Sequence, residues 1–317
     1  MLEGLDAIDW KALRHAYGSA ADVPDLLRAL GSPNADERDE ALHALFGNII
    51  HQGTVYEATA PAVPFLIELL TDDSAAERAA VLLLLGELAR GSSYLDVHRH
   101  WISNLDADPD FHEELARELG WVRAAREAVE TGLPEYVRLL DAPEREIRLA
   151  AARASSGCVG RAVEASRALR SAFAARSDEV ERFGLVLSLG DLGREADVPF
   201  LNAVPPDDPI GWAAAVAAAE ILRERTPAAT VARVASAFAN PTPLDVLLEE
   251  QPWKPVEAVE MAGEAIETVA DADAVDALIA GVGRVEEYHA RGLAADLLAR
   301  VLPIPPGPPS PPPGPLH

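Results

Sequence analysis

Two stretches of the chain bring together side chains capable of chemistry. The first is His51-Gln52-Gly53-Thr54-Val55-Tyr56, where an imidazole, an amide and a phenol lie close in sequence. The second runs from His98 to Trp121 and holds His98, His100, Trp101, His112 and Trp121, with Asp106-Ala107-Asp108-Pro109-Asp110 between them. The His-x-His pair and His112 have the donor types that zinc takes, but no spacing rule fixes a tetrahedral set from them. The aspartate run has the carboxylate alternation of a calcium loop. A loop starting at Asp106 would need glycine at its sixth position and glutamate at its twelfth, and those are Phe111 and Arg117. We therefore expect no metal and no cofactor. Polar and aromatic side chains on loops serve recognition. On that ground His51, Gln52, Tyr56, His98, His100, Trp101 and Trp121 are the expected binding residues. The plainer readings are an inter-repeat loop, with Gly53 ending a helix in the left-handed conformation, and an added helix that packs Trp101 and Trp121 against the body.

Other chemistry finds little support. Cys158 is the single cysteine, so there is no intramolecular disulfide and no cysteine-rich zinc module. It follows Ser155-Ser156-Gly157 and reads as buried and inert. No GxSxG, Walker A, dinucleotide-binding glycine motif or HExxH occurs. A non-enzyme is expected.

The elements that position these residues are helices. The 317 residues include 59 alanines, while aromatics make up only 5%. Alanine has the highest helix propensity, and strands favour aromatic and β-branched residues. Apolar residues recur at i, i+3, i+4 and i+7 in Val23/Leu26/Leu27/Leu30, Val63/Leu66/Ile67/Leu70, Leu133/Tyr136/Val137/Leu140 and Val275/Leu278/Ile279/Val282. Proline follows the first residue at Pro24, Pro64 and Pro134, and again at Pro199 in a degraded copy, as suits a first helical turn. Asp22 and Asp197 stand where a cap is wanted. A second stripe follows each first one, as in Val81/Leu84/Leu85/Leu88 and Ile147/Ala150/Ala151/Ala154. Arg38, Arg78, Arg148 and Arg291 stand three residues before an apolar position near the start of these second helices. Weaker units fall at 160–192 and 227–270. Stacked pairs of this kind form a right-handed α-solenoid.

These paired helices, early prolines and recurrent arginines resemble HEAT repeats of the kind named from phycobilisome lyases. The stretch from His15-Ala16-Tyr17-Gly18 through Asp22-Val23-Pro24 to His51–Tyr56 and Ala62-Val63-Pro64-Phe65-Leu66 is similar to a group of bacterial HEAT-repeat proteins. The resemblance covers about residues 20–301 and implies an all-α, armadillo-type superhelix. It implies no activity. Deoxyhypusine hydroxylases of this architecture use repeated His-Glu pairs, and this chain has one, His112-Glu113.

The expected organisation is an N-terminal cap over 1–21, a solenoid over 22–301 with an insertion at 91–131, and a proline-rich tail over 302–317. Pro303 to Pro315 holds 9 of the 25 prolines.

Charge sets the partner class. With 27 Lys+Arg against 52 Asp+Glu the formal charge is −25. Such a chain repels nucleic acid and anionic membrane and attracts a basic protein. The acidity concentrates in residues 235–283, at −9, while residues 144–176 hold seven arginines against three glutamates. Pairs such as Glu144–Arg148 would neutralise the latter locally. The acidic N-terminus has no signal-peptide character, and a cytoplasmic location is expected. The resulting expectation is a protein-binding scaffold. An immunity-type protein against a basic toxin domain, and an enzyme acting on nucleic acid or a tetrapyrrole, are the alternatives.

Overall fold

A computed structural model describes residues 2–73, 75–99, 109–206, 208–253, 256–267 and 269. Among these, fifteen α-helices and two short hairpins make up the fold. The first pair is α1 (Val23–Ala29) and α2 (Ala35–Asn48), the second α3 (Thr59–Leu70) and α4 (Arg78–Arg90). Then come α5 (Tyr94–His98) and the long α6 (Pro109–Thr131). Three regular pairs follow: α7 (Leu133–Leu139) with α8 (Arg145–Ser156), α9 (Ala162–Ala175) with α10 (Glu179–Leu192), and α11 (Val198–Asn202) with α12 (Pro209–Leu222). The last described unit holds α13 (Ala228–Val234), α14 (Thr242–Glu249) and α15 (Ala258–Glu267). The unit expected over 275–297 and the proline run 303–315 lie outside the described residues.

The second helices pack directly on one another, α4 on α8, α8 on α10 and α10 on α12, whereas α7 and α9 meet only at their margins. From α4 onward the stack is therefore tighter on the second-helix side. Small residues permit this approach. A Cβ on Gly190 of α10 would stand 2.8 Å from the Ala217 Cα of α12. Ala213 to Ala219 are all buried, because α12 is enclosed by α10, α11, α13 and α15. Leu84 and Leu85 of α4 are fully buried. The period-breaking α6 packs along α3 and α4 and so belongs to the stack.

The recurrent arginines tie neighbouring units together. Arg38 Nε donates to Glu77 Oε1 at 3.0 Å, across to the start of α4. Arg78 reaches Asp73 at 2.7 Å and Glu144 at 3.7 Å, before α8. Arg148 pairs with Glu181 in the first turn of α10. The expected Glu144–Arg148 pair is therefore not made; each residue serves a neighbouring unit instead.

Four details differ from the sequence reading. The helix expected to start at Val63 starts at Thr59, so Pro64 lies inside α3, where it removes a backbone donor. Asp22 and Asp197 do not cap α1 and α11. Their backbones are helical, not extended, and their carboxylates serve other donors. Gly53 does have left-handed φ (+80°), but in a hairpin turn, because α2 already ends at Asn48. The hairpins themselves, β1 (Arg14–His15) with β2 (Gly18–Ser19) and β3 (Ile50–His51) with β4 (Thr54–Val55), were not anticipated. Two-residue strands are too short to show alternation.

Candidate protein-binding surface

The two hairpins bring Tyr17 and His51 together. In β3–β4 the register pairs Ile50 with Val55 and His51 with Thr54, which leaves Gln52 (φ +48°) and Gly53 as the central turn residues. Positive φ at both positions is the primed turn that matches the twist of a two-residue hairpin. Gln52 thus occupies the tip. The hairpin is fastened by Val55 N–H to the Ser92 carbonyl (3.1 Å) and Ser92 N–H to the Gly53 carbonyl (2.8 Å). Gly91 must be glycine for this contact, since a Cβ there would meet Val55 Cγ1 at 2.2 Å.

The β1–β2 loop is held by Ala16 N–H to the Asn48 carbonyl (3.0 Å). Tyr17 N–H donates to His15 Nδ1 at 3.0 Å, which makes Nε2 the protonated nitrogen of a neutral imidazole. That Nε2–H faces Asp22 Oδ1 at 2.9 Å. Asp22 also accepts from Asn48 Nδ2 at 2.7 Å. His15 is buried and satisfied, so it holds the loop and leaves Tyr17 outside.

Tyr17 is 69% exposed and meets the His51 ring edge-on at 5.4 Å. Its hydroxyl lies 3.4 Å from His51 Nδ1. Tyr94, 50% exposed, stacks on His98 at 4.2 Å. Tyr56 is half-buried within electrostatic reach of both Tyr17 and Tyr94, with its backbone N–H on Thr59 Oγ1 (2.8 Å). Burial first, then the Glu118 carboxylate and the neighbouring Tyr17 and Tyr94, raise the Tyr56 phenol above its ordinary pKa. Glu118 of α6 accepts from Ser93 Oγ (2.7 Å) and Leu95 N–H (3.0 Å), which anchors the start of α5.

His51, Tyr56 and His98 therefore join Tyr17 and Tyr94 on one aromatic surface with a carboxylate beside it. Trp121 is half-buried on α6, three residues beyond Glu118. His100 and Trp101 lie outside the described residues. Sequence reasoning missed Tyr17 and Tyr94, although Tyr17 stood within the quoted His15–Gly18 stretch. Among the described residues, no three His, Cys, Asp or Glu side chains gather as metal ligands.

A second polar surface runs across the second helices α4, α8, α10 and α12. Asp191 of α10 accepts from Arg90 of α4 at 3.0 Å and from Arg153 of α8. Arg153 also reaches Glu87 at 3.2 Å, and its guanidinium lies 5.6 Å from the Trp253 ring. Glu220 of α12 is exposed but lies over α10, its Oε2 2.9 Å from where a Cβ on Gly190 would stand. The surrounding protein, then Asp191 and Glu264, push its carboxyl up to about 7. No described helix is long and apolar enough to cross a membrane.

No protein-family model matches the chain, and no curated protein matches it. Among solved structures, it is similar to a designed armadillo repeat protein in complex with the peptide (KR)4, at 17% identity and TM-score 0.33, over 89% of this chain and 100% of that one. An engineered protein aligns at 19% identity and TM-score 0.32, over 88% and 96%. A second designed armadillo repeat protein aligns at 17% identity and TM-score 0.32, over 88% and 100%.

Proposed function

We propose that this HEAT-like chain is a non-catalytic scaffold that binds a protein segment presenting lysine or arginine on the N-terminal aromatic surface. The observation that carries this reading is the placement of Tyr17 and Tyr94, both exposed, around Tyr56 with the Glu118 carboxylate nearby. A cation over a tyrosine face gains about 0.5–2 kcal/mol, depending on how far it is desolvated. Tyrosines on rigid supports are frequent binding hot spots, because they offer large area at small entropic cost. The chain's −25 charge would speed the arrival of a basic partner and disfavour nucleic acid. Neutralising a basic toxin domain is one form such binding would take.

Affinity capture from the native host tests this with two baits, the wild type and the Tyr17→Ala/Tyr94→Ala double variant. The expected result is a basic protein retained by the wild type, released by salt and lost from the variant. Equal retention by both baits would contradict the reading.

A further inference from the structure

The seven arginines between residues 144 and 176 are not equally engaged. Arg145, Arg148, Arg153, Arg161, Arg170 and Arg176 each pair with a carboxylate. Arg167 is exposed and makes no hydrogen bond or ion pair among the described residues. It lies in an open groove of about 600 Å³ on the first-helix side, between α9 and α11, lined also by Val163, Ser166, Arg170, Arg194 and Phe200.

Behind this groove lies Asp197, fully buried. Its Oδ1 accepts from Ser166 Oγ at 2.7 Å, and the guanidinia of Arg194 and Arg170 converge on the same oxygen at 3.3 and 3.5 Å. Its Oδ2 has no partner. One carboxylate is thus shared between two arginines, and Arg167 adds a third positive charge. The nearby Glu164 and Glu195 are held by Arg161 and Arg225. The groove is therefore a positive island on a strongly acidic chain. It is also partly apolar. Val163 is 59% exposed, and Arg170 lies 4.8 Å over the Phe200 ring.

We propose that this groove binds an acidic peptide segment carrying at least one large apolar side chain. Its carboxylates would meet Arg167 and the outward faces of Arg170 and Arg194, and the apolar side chain would cover Val163 and Phe200. Charge complementarity selects the sign. The limited extent of the island selects a short acidic segment over nucleic acid. A long polyanion would run off three arginines onto a surface that repels it. The occupant is opposite in sign to the cationic segment of the N-terminal surface, so either proposal can fail without the other.

Fluorescence anisotropy of the full chain with a labelled peptide of alternating Glu and Leu tests this against the isosteric Gln-Leu peptide. The Glu-Leu peptide should bind saturably and about tenfold or more tighter than the Gln-Leu peptide. Arg167→Glu should remove that advantage with an unchanged melting temperature, and Val163→Asp should weaken binding too. Arg123→Glu, at an exposed arginine of α6 away from the groove, should leave it unchanged. Absence of saturable binding, equal binding of the Gln-Leu peptide, or equal loss with Arg123→Glu would overturn the proposal. So would a labelled single-stranded oligonucleotide that binds tighter than the peptide through Arg167.

Discussion

Arg148 in α8 donates its Nε–H to Glu181 Oε2 of α10 at 3.0 Å, and its second nitrogen engages the other carboxylate oxygen. Glu181 is only 4% exposed and also receives Arg176 at 3.2 Å. This two-pronged contact spans adjacent repeats at the point where their second helices begin. Removing one partner leaves the other charged and poorly hydrated. Glu181→Ala should therefore cost ~3 kcal/mol, as expected when a buried pair is broken. The charge-free double variant Arg148→Met/Glu181→Leu should recover most of that loss. Thermal melts of the three proteins check it, and a double variant as unstable as Glu181→Ala would contradict it.

Helix proximity makes two glycines behave oppositely. Gly190 faces the Ala217 backbone, so Gly190→Ala forces α10 and α12 apart and should destabilise by roughly 1–3 kcal/mol. Gly120 lies in α6 with nothing within 4 Å of a built Cβ. Gly120→Ala should stabilise by roughly 0.5–1 kcal/mol through helix propensity. Two melting curves with shifts of the same sign would show the helix spacing to be wrong.

Much of this architecture is legible in the sequence, because stripes at Val23/Leu27 and Leu84/Leu85 report burial directly. The prolines marked first turns at Pro24, Pro134 and Pro199. Pro64 misled because the helix gains a further turn upstream, where the Thr59 hydroxyl donates to the buried Ile49 carbonyl at 2.5 Å. The aromatic surface was only half visible. His51, Tyr56 and His98 stood out by residue type, but Tyr17 meets His51 across 34 positions through two hairpins whose strands carry no periodic signal. The arginine-rich stretch reads as neutralised by local pairs such as Glu144–Arg148, whereas the structure pairs most of its arginines with other units. Partners such as Glu250 for Arg145, 105 residues away, are invisible to local reading.

Glu220 gives stability a pH dependence. Its folded-state pKa of about 7 exceeds the ordinary value of 4.5. The folded chain then holds a proton that the unfolded chain has lost, so this group's contribution falls as pH rises from about 4.5 to 7. Glu220→Gln should raise the melting temperature at pH 8 and leave it nearly unchanged at pH 5. Equal shifts at both pH values would contradict the assignment.

Burial pushes the Cys158 thiol up to about 12, and the thiol makes a weak contact with the Ala154 carbonyl at 3.7 Å. At pH 8 almost none is thiolate, so iodoacetamide should label the native protein very slowly and the denatured protein readily. Rapid stoichiometric labelling of the native chain would show that this side chain is exposed.

The most direct test of the N-terminal aromatic surface is hydrogen–deuterium exchange on the complex with the captured basic partner. Protection should rise at residues 14–19, 50–58 and 92–98, where the two hairpins and α5 carry Tyr17, His51, Tyr56, Tyr94 and His98. A complex that leaves those segments unchanged and protects only the α9–α11 groove or the second helices α8, α10 and α12 would contradict the central claim.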